Sequence, residues 1–139
     1  MKMNLSELKE KTLFDWFKDT RFSDIQQTSK YSYTDAYIPS LNVYVEFKCR
    51  REHYDALLIE KAKWKYLHKL SNCRYINSTP RGIYSFNMSV MAQPSWHMRV
   101  MPRTTNFENK DKIIKEVGYL HIRQAVELTD SFLEYNLDN

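Results

Sequence analysis

The apolar positions of the chain first fall at helical spacing. In the stretch NLSELKEKTLFDWF, Leu5, Leu8, Leu13, Trp16 and Phe17 recur as one stripe and predict an opening helix. Asn4 is placed to cap it, with Glu7 three residues on as the reciprocal partner of a capping box. A polar connection, DTRFSDIQQTSK, follows, with a short strand expected near its end. The pattern then changes to alternation. YSYTDAYI is rich in β-formers, the Pro-Ser pair signals a turn, and LNVYVEFKC alternates Val43, Val45, Phe47 and Cys49 on one face, so the two segments predict a β-hairpin. Tyr33, Asp35 and Tyr37 share a face of its first strand, and Asn42, Tyr44, Glu46 and Lys48 share a face of its second.

ALLIEKAKWKYLHKL has good helix formers and no Gly or Pro, and predicts a helix with Ile59, Ala62, Tyr66 and Leu70 as its inner stripe. Lys63 falls inside that stripe, where an unpaired ammonium is costly, so it is expected to point at an anion or to emerge at the stripe's edge. GIYSFNMSVMA and SWHMRVMPR predict two more strands, antiparallel to each other and separated around Gln93 and Pro94. NFENKDKIIKEVGYLHIRQAVEL returns to helical spacing, with Ile113, Ile114, Val117, Leu120, Ala125 and Leu128 as its core positions and Gly118 as a weak point. The tail TDSFLEYNLDN is acidic and expected to fray. The order of elements predicts an α/β domain on a small mixed sheet flanked by helices.

Composition adds class and partner. A chain of 139 residues, 42% hydrophobic, 27% charged and 14% aromatic, is expected to form one globular domain with a real core. The net charge of +4 is unevenly spread: residues 41–103 carry eleven Lys or Arg against four Asp or Glu, and residues 104–139 carry four against seven. A basic middle is the footprint of a polyanion partner, and equally of a solvated surface. Cys49 and Cys73 stand in no metal-binding spacing, and Cys49 on the apolar strand face reads as a buried thiol. No early apolar segment resembles a signal peptide and no run reaches membrane-spanning length, so the expectation is an intracellular protein with no membrane partner.

The candidate chemistry lies on the hairpin. Period-two geometry puts Glu46 and Lys48 on one face about 6.5–7 Å apart, and Asp35 joins them across the turn if the register allows. Two converging carboxylates repel unless a cation lies between them, and magnesium accepts such oxygens while keeping its waters. A lysine beside it orients or deprotonates a nucleophilic water, or stabilises charge on a phosphate. The plain alternative is a surface charge pair across the hairpin worth about 0.2–1 kcal/mol.

The succession TDAYIPSLNVYVEFKCRREHYDALLIEKAKWKYL resembles the PD-(D/E)XK nuclease superfamily, the restriction-endonuclease-like fold, over about residues 5–70 and more loosely beyond. The resemblance implies an α/β architecture in which Asp35, Glu46 and the backbone carbonyl of Phe47 bind Mg²⁺, or Mn²⁺ in its place, with Lys48 as the catalytic lysine. It further implies an acidic ligand from the first helix, for which Glu10 is preferred to Glu7, and a site-facing residue on the second helix, matched by Lys63. Thr34 stands where the motif names proline. The expected partner is nucleic acid, DNA before RNA, cut without sequence specificity or according to its shape, as by a junction resolvase. Arg50 and Arg51 are expected at the phosphates, joined by Lys61, Lys65 and Arg103. Cutting two strands suggests a homodimer, and the small size suits a phage-encoded repair protein. The rival readings are a nucleic-acid-binding or virion protein that retains the fold without catalysis, and an interaction protein using its acidic C-terminal end.

Overall fold

The computed structural model of the chain describes residues 4–30, 32, 34–102 and 112–138. A 3-10 turn at Leu5–Glu7 leads into helix α1 (Glu10–Thr20), followed by strands β1 (Gln26–Gln27), β2 (Ala36–Ile38), β3 (Val43–Cys49) and β4 (Ala56–Glu60). Helix α2 (Lys61–Lys69) precedes β5 (Cys73–Thr79), β6 (Gly82–Asn87), β7 (His97–Pro102) and β8 (Lys112–His121). A second 3-10 turn, β9 (Val126–Glu127) and helix α3 (Thr129–Asp138) complete the order. The fold is mixed α/β, as the sequence pattern predicts, but it carries two sheets. The larger runs β1-β2-β3-β5-β6-β9 and the smaller β4-β8-β7. The β3–β5 pairing is parallel and the others are antiparallel.

Each face of the larger sheet builds its own core. On one face Leu13, Trp16 and Phe17 of α1 and Phe132 of α3 pack on Val43, Val45, Phe47 and Ile76. Burying side chains of this size is worth about 2 kcal/mol each. Phe17 meets Phe47 edge-on with ring centroids 5.5 Å apart, and Trp16 meets Phe132 in the same way at 5.2 Å. On the other face Trp64 and Leu67 of α2, together with Leu57, Ile59 and Leu120 of the smaller sheet, cover Cys73, Tyr75, Phe86 and Met88.

Several sequence expectations give way here. The opening helix begins at Glu10 rather than beside Asn4, because Leu8 and Lys9 are extended. Leu8 thereby joins the core. Asn4 uses its Nδ2 to reach the Glu7 carboxylate at 3.0 Å, and the expected capping box does not form. Residues 56–60 are a strand, not the first turns of a helix. Leu57 and Ile59 alternate into the core while the backbone pairs with β8, and this outweighs the helix propensity of Ala, Leu and Glu. In α2 the buried residues are accordingly Trp64 and Leu67, and Ala62 faces solvent.

Residues 112–121, expected as a helix, form β8, with Val117 and Leu120 buried and Ile114 exposed. Gly118 lies against Trp96, where an added Cβ would sit 2.9 Å from the ring and 3.1 Å from the Ser95 carbonyl. β6 and β7 do not pair with each other; β6 lies between β5 and β9, and β7 pairs with β8. The tail forms α3, anchored by buried Thr129 and Phe132. The hairpin holds as expected, with Ala36 opposite Val45, Tyr37 opposite Tyr44 and Ile38 opposite Val43. No described helix is long and apolar enough to cross a membrane.

The hairpin turn closes through Asn42, whose φ of 53° lies in the left-handed region. The Asn42 N–H donates to the Pro39 carbonyl at 3.2 Å, and the Ser40 N–H donates to the Asp24 carboxylate at 2.7 Å. Asparagine tolerates this backbone; a β-branched residue is penalised by about 1–2 kcal/mol. Asn42→Val is therefore expected to lower stability in chemical denaturation by about that amount, and Asn42→Gly to stay within about 0.5 kcal/mol of wild type. Equal losses in the two variants would remove the turn conformation as the cause.

Candidate functional site

Asp35 sits one residue beyond the last β2–β3 ladder pair, which places it opposite Glu46. Its N–H donates to the Val45 carbonyl at 3.0 Å, and its Oδ2 accepts the Phe47 N–H at 2.8 Å. The carboxylate thus takes over a ladder hydrogen bond that β2 ends too soon to make. The Thr34 side chain before it is buried and pairs its hydroxyl with Ser32, and Thr28 donates to the Thr34 carbonyl, so a threonine anchors the position where the motif names proline.

Glu46, on the α2-facing side of β3, is only 6% exposed. Its Oε2 accepts from Lys63 Nζ at 2.5 Å, which meets the expectation that this lysine points at an anion. Burial pushes the Glu46 carboxyl up to about 7; Lys63 opposes the rise, and Asp35, within hydrogen-bonding reach, adds to it. The Lys63 ammonium is opposed by burial but raised on balance by Tyr75, Glu46 and Asp35. Lys48 is lowered by burial and by the neighbouring Arg50 and Lys63 cations, with Glu10 and Glu60 acting the other way. Glu10, on the first turn of α1, is raised by burial and by Asp35 and lowered by Lys48 and Lys63. Glu10 therefore senses Asp35, Lys48 and Lys63, and Glu46 senses Lys63 and Asp35, although these groups come from α1, the hairpin and α2.

The expected phosphate residues fare unevenly. Arg50 is turned inward: its Nε donates to Asn77 Oδ1 and its Nη2 to the Leu58 carbonyl, each at 2.7 Å, beside the buried Tyr75. That corrects its expected place at a phosphate, because its donors tie β3 to β5 and β4. Lys61 pairs with Glu116 at 3.1 Å and lies over the Trp96 ring. Arg51 and Lys65 are exposed. Arg103 lies outside the described residues.

Nothing in the sequence pattern singles out Tyr75 and Asn77, which stand beside Glu46 and Lys48 on the parallel neighbour β5. CRYINST keeps Asn77, Ser78 and Thr79 buried without apolar alternation, so polarity hides the strand. A groove beside the site, lined by Glu10, Lys11, Gln27, Thr28, Lys30 and Asp35, adds residues of the β1 segment that the motif does not mark.

The donor set suits a hard divalent ion. Asp35 and Glu46 each place one oxygen on a described protein donor, and the two carboxylates lie within hydrogen-bonding reach of each other. Magnesium binds through one or two carboxylates and keeps several waters. Among the described residues no group of three or more His, Cys, Asp or Glu could hold a metal ion, so Glu10 does not close the pair into a triad. Comparison with known proteins finds no family model that matches the chain and no curated protein that matches it.

The raised Glu46 carboxyl sets a pH dependence. The folded state holds this proton up to about 7 and the unfolded chain releases it near 4.5, so stability falls as pH rises through that window. In chelator, the Glu46 contribution between pH 5 and 8 is expected to be about 1–3 kcal/mol, and Glu46→Gln to flatten that part of the denaturation profile. An unchanged profile in the variant would show that another group titrates.

Proposed function

We propose that the chain is a metal-dependent nuclease of restriction-endonuclease-like fold that hydrolyses phosphodiester bonds, in DNA before RNA, by strand shape or without specificity. The observation that carries this reading is the meeting of Asp35 and Glu46 across the hairpin, with Lys48 two residues along the same strand. The order of α1, the hairpin, α2 and the parallel strand β5 supports it. So does the excess of seven positive charges over residues 41–103.

In this reading Asp35, Glu46 and the Phe47 carbonyl hold Mg²⁺, with Mn²⁺ as a substitute. A bound divalent ion supplies charge neutralisation at the scissile phosphate and makes water a better nucleophile. Lys48, lowered by burial and by Arg50 and Lys63, is suited to take the proton of the attacking water. Lys63 holds Glu46 in place, and Arg50 fixes the far end of β3 against β5. Exposed Arg51 and Lys65 would meet the phosphate backbone. A homodimer would place one site on each strand of a duplex.

The Lys63–Glu46 pair favours a second reading. A carboxylate already matched to an ammonium needs no metal to be stable, which suits a nucleic-acid-binding protein without turnover.

Cleavage of linear, flap and four-way-junction DNA in Mg²⁺ decides between them. Wild type is expected to cut at least one substrate and Lys48→Ala to lose about 10²–10⁴-fold. Equal behaviour of the two proteins on every substrate would remove the nuclease reading, and salt-sensitive binding without cutting would establish the second. Independently of turnover, Mg²⁺ is expected to raise the unfolding midpoint at pH 8 more than at pH 5, and Asp35→Asn to abolish the difference. A midpoint that ignores Mg²⁺ at both pH values would exclude the metal site.

A further inference from the structure

The α1-facing side of the larger sheet, opposite the carboxylate pair, contains a half-enclosed cavity of about 230 Å³. Trp16 and Phe17 wall it from α1, and Val45 and Ile76 form its floor. It is larger than the ~150 Å³ apolar cavity that suffices to admit benzene. Two arginines also line it: Arg21 at the end of α1, which is exposed, and Arg74 on β5, which is half-buried beside Val45. Among the described residues no acidic side chain lines the cavity, and neither guanidinium makes an ion pair. Arg74, half-buried against this apolar wall without an ion-pair partner, loses hydration for no return, whereas exposed Arg21 stays hydrated; a guanidinium recovers such a loss best from a carboxylate that it can grip with two N–H donors.

We propose that this cavity binds a small molecule with an apolar body and a single carboxylate, the body against Trp16, Phe17, Val45 and Ile76 and the carboxylate at Arg21 and Arg74. Neutral apolar molecules gain the walls but not the arginines. Acids without an apolar body gain the arginines but leave the cavity empty. The discrimination is therefore between head groups on the same body. An acyl chain and an aromatic ring of similar size offer the same chemistry, and the test separates them.

The full chain is titrated with octanoate, with indole-3-acetate, and with 1-octanol as the neutral match, and thermal unfolding is followed. At about ten times the dissociation constant the favoured acid is expected to raise the midpoint by about 5 °C, with 1-octanol raising it clearly less. A response to octanoate alone assigns the site to acyl chains, and a response to indole-3-acetate alone to aromatic acids. Arg21→Ala, at an exposed position, and Arg74→Met are each expected to reduce the shift given by the acid to that of the alcohol. If Arg74→Met does not fold, the Arg21 variant and the acid–alcohol comparison in wild type still decide. Equal shifts from acid and alcohol, or none from either acid, would overturn the proposal.

Discussion

A carboxylate buried to 6% exposure on a β-strand must be neutralised or paired, and the arrangement around Glu46 provides for both. Burial raises its proton affinity, Lys63 reaches it from α2, and Asp35 stands beside it on the hairpin. Each response constrains a different part of the chain. Lys63 reaches Glu46 only if α2 packs across β3 and β5, and that placement is held by Trp64 and Leu67. Asp35 reaches it only because its Oδ2 also completes the ladder at Phe47. The larger sheet, the crossover helix and the end of the hairpin thus converge on one side chain.

The pairing is weak as a stabilising device. Removing two charges from water costs several kcal/mol, and an apolar pair of similar volume would often serve as well. Lys63 is moreover partly open to solvent, which screens its attraction. On the proposed metal-binding reading the same placement has more value, because it keeps two carboxylates close enough to share a divalent ion. Arg50 shows the complementary logic. Its guanidinium is consumed by Asn77 and the Leu58 carbonyl, so it acts on the site as a fixed positive charge next to Lys48 rather than as a mobile contact for a ligand.

What the sequence made legible follows from how local each signal is. The hairpin was readable because alternation, the Pro-Ser turn and β-branched residues all act within a dozen residues, and its register put Asp35 opposite Glu46. Lys63 reads as an anion's partner from a stripe of Ile59, Ala62, Tyr66 and Leu70 that the structure replaces, since Trp64 and Leu67 are the buried residues of α2, and its pairing with Glu46 holds all the same. The misread segments are those whose state depends on remote partners. Leu57 and Ile59 belong to a strand only because β8 lies alongside, and β8 is extended only because β4 and β7 flank it. Spacing at Ile113, Val117 and Leu120 is helical and puts Val117 and Leu120 on opposite faces of the strand, so the distant pairing overrides the local signal. β5 was invisible for another reason: its buried Asn77, Ser78 and Thr79 contribute hydrogen bonds rather than hydrophobicity. Arg50 reads as a phosphate contact because one acceptor that claims it, Asn77, stands on distant β5, and the other, the Leu58 carbonyl, is a backbone group that no side-chain pattern marks.

β3 carries two unrelated surfaces on one backbone. Glu46 and Lys48 point to the α2 side and form the charged site, while Val43 and Val45 point to the α1 side and line the apolar cavity. Side-chain direction reverses at every residue, so a register slip of one would send the valines toward Lys63 and the two charges into the cluster of Trp16 and Phe17. Both outcomes bury unmatched groups, and the cost falls on both faces at once. The register is therefore fixed more firmly than either face alone could fix it, and the turn at Asn42 with the Asp35–Phe47 bond is where the chain commits to it. Any change at these two points is felt on both sides of the sheet, because the charged site and the apolar cavity are read from the same alternation.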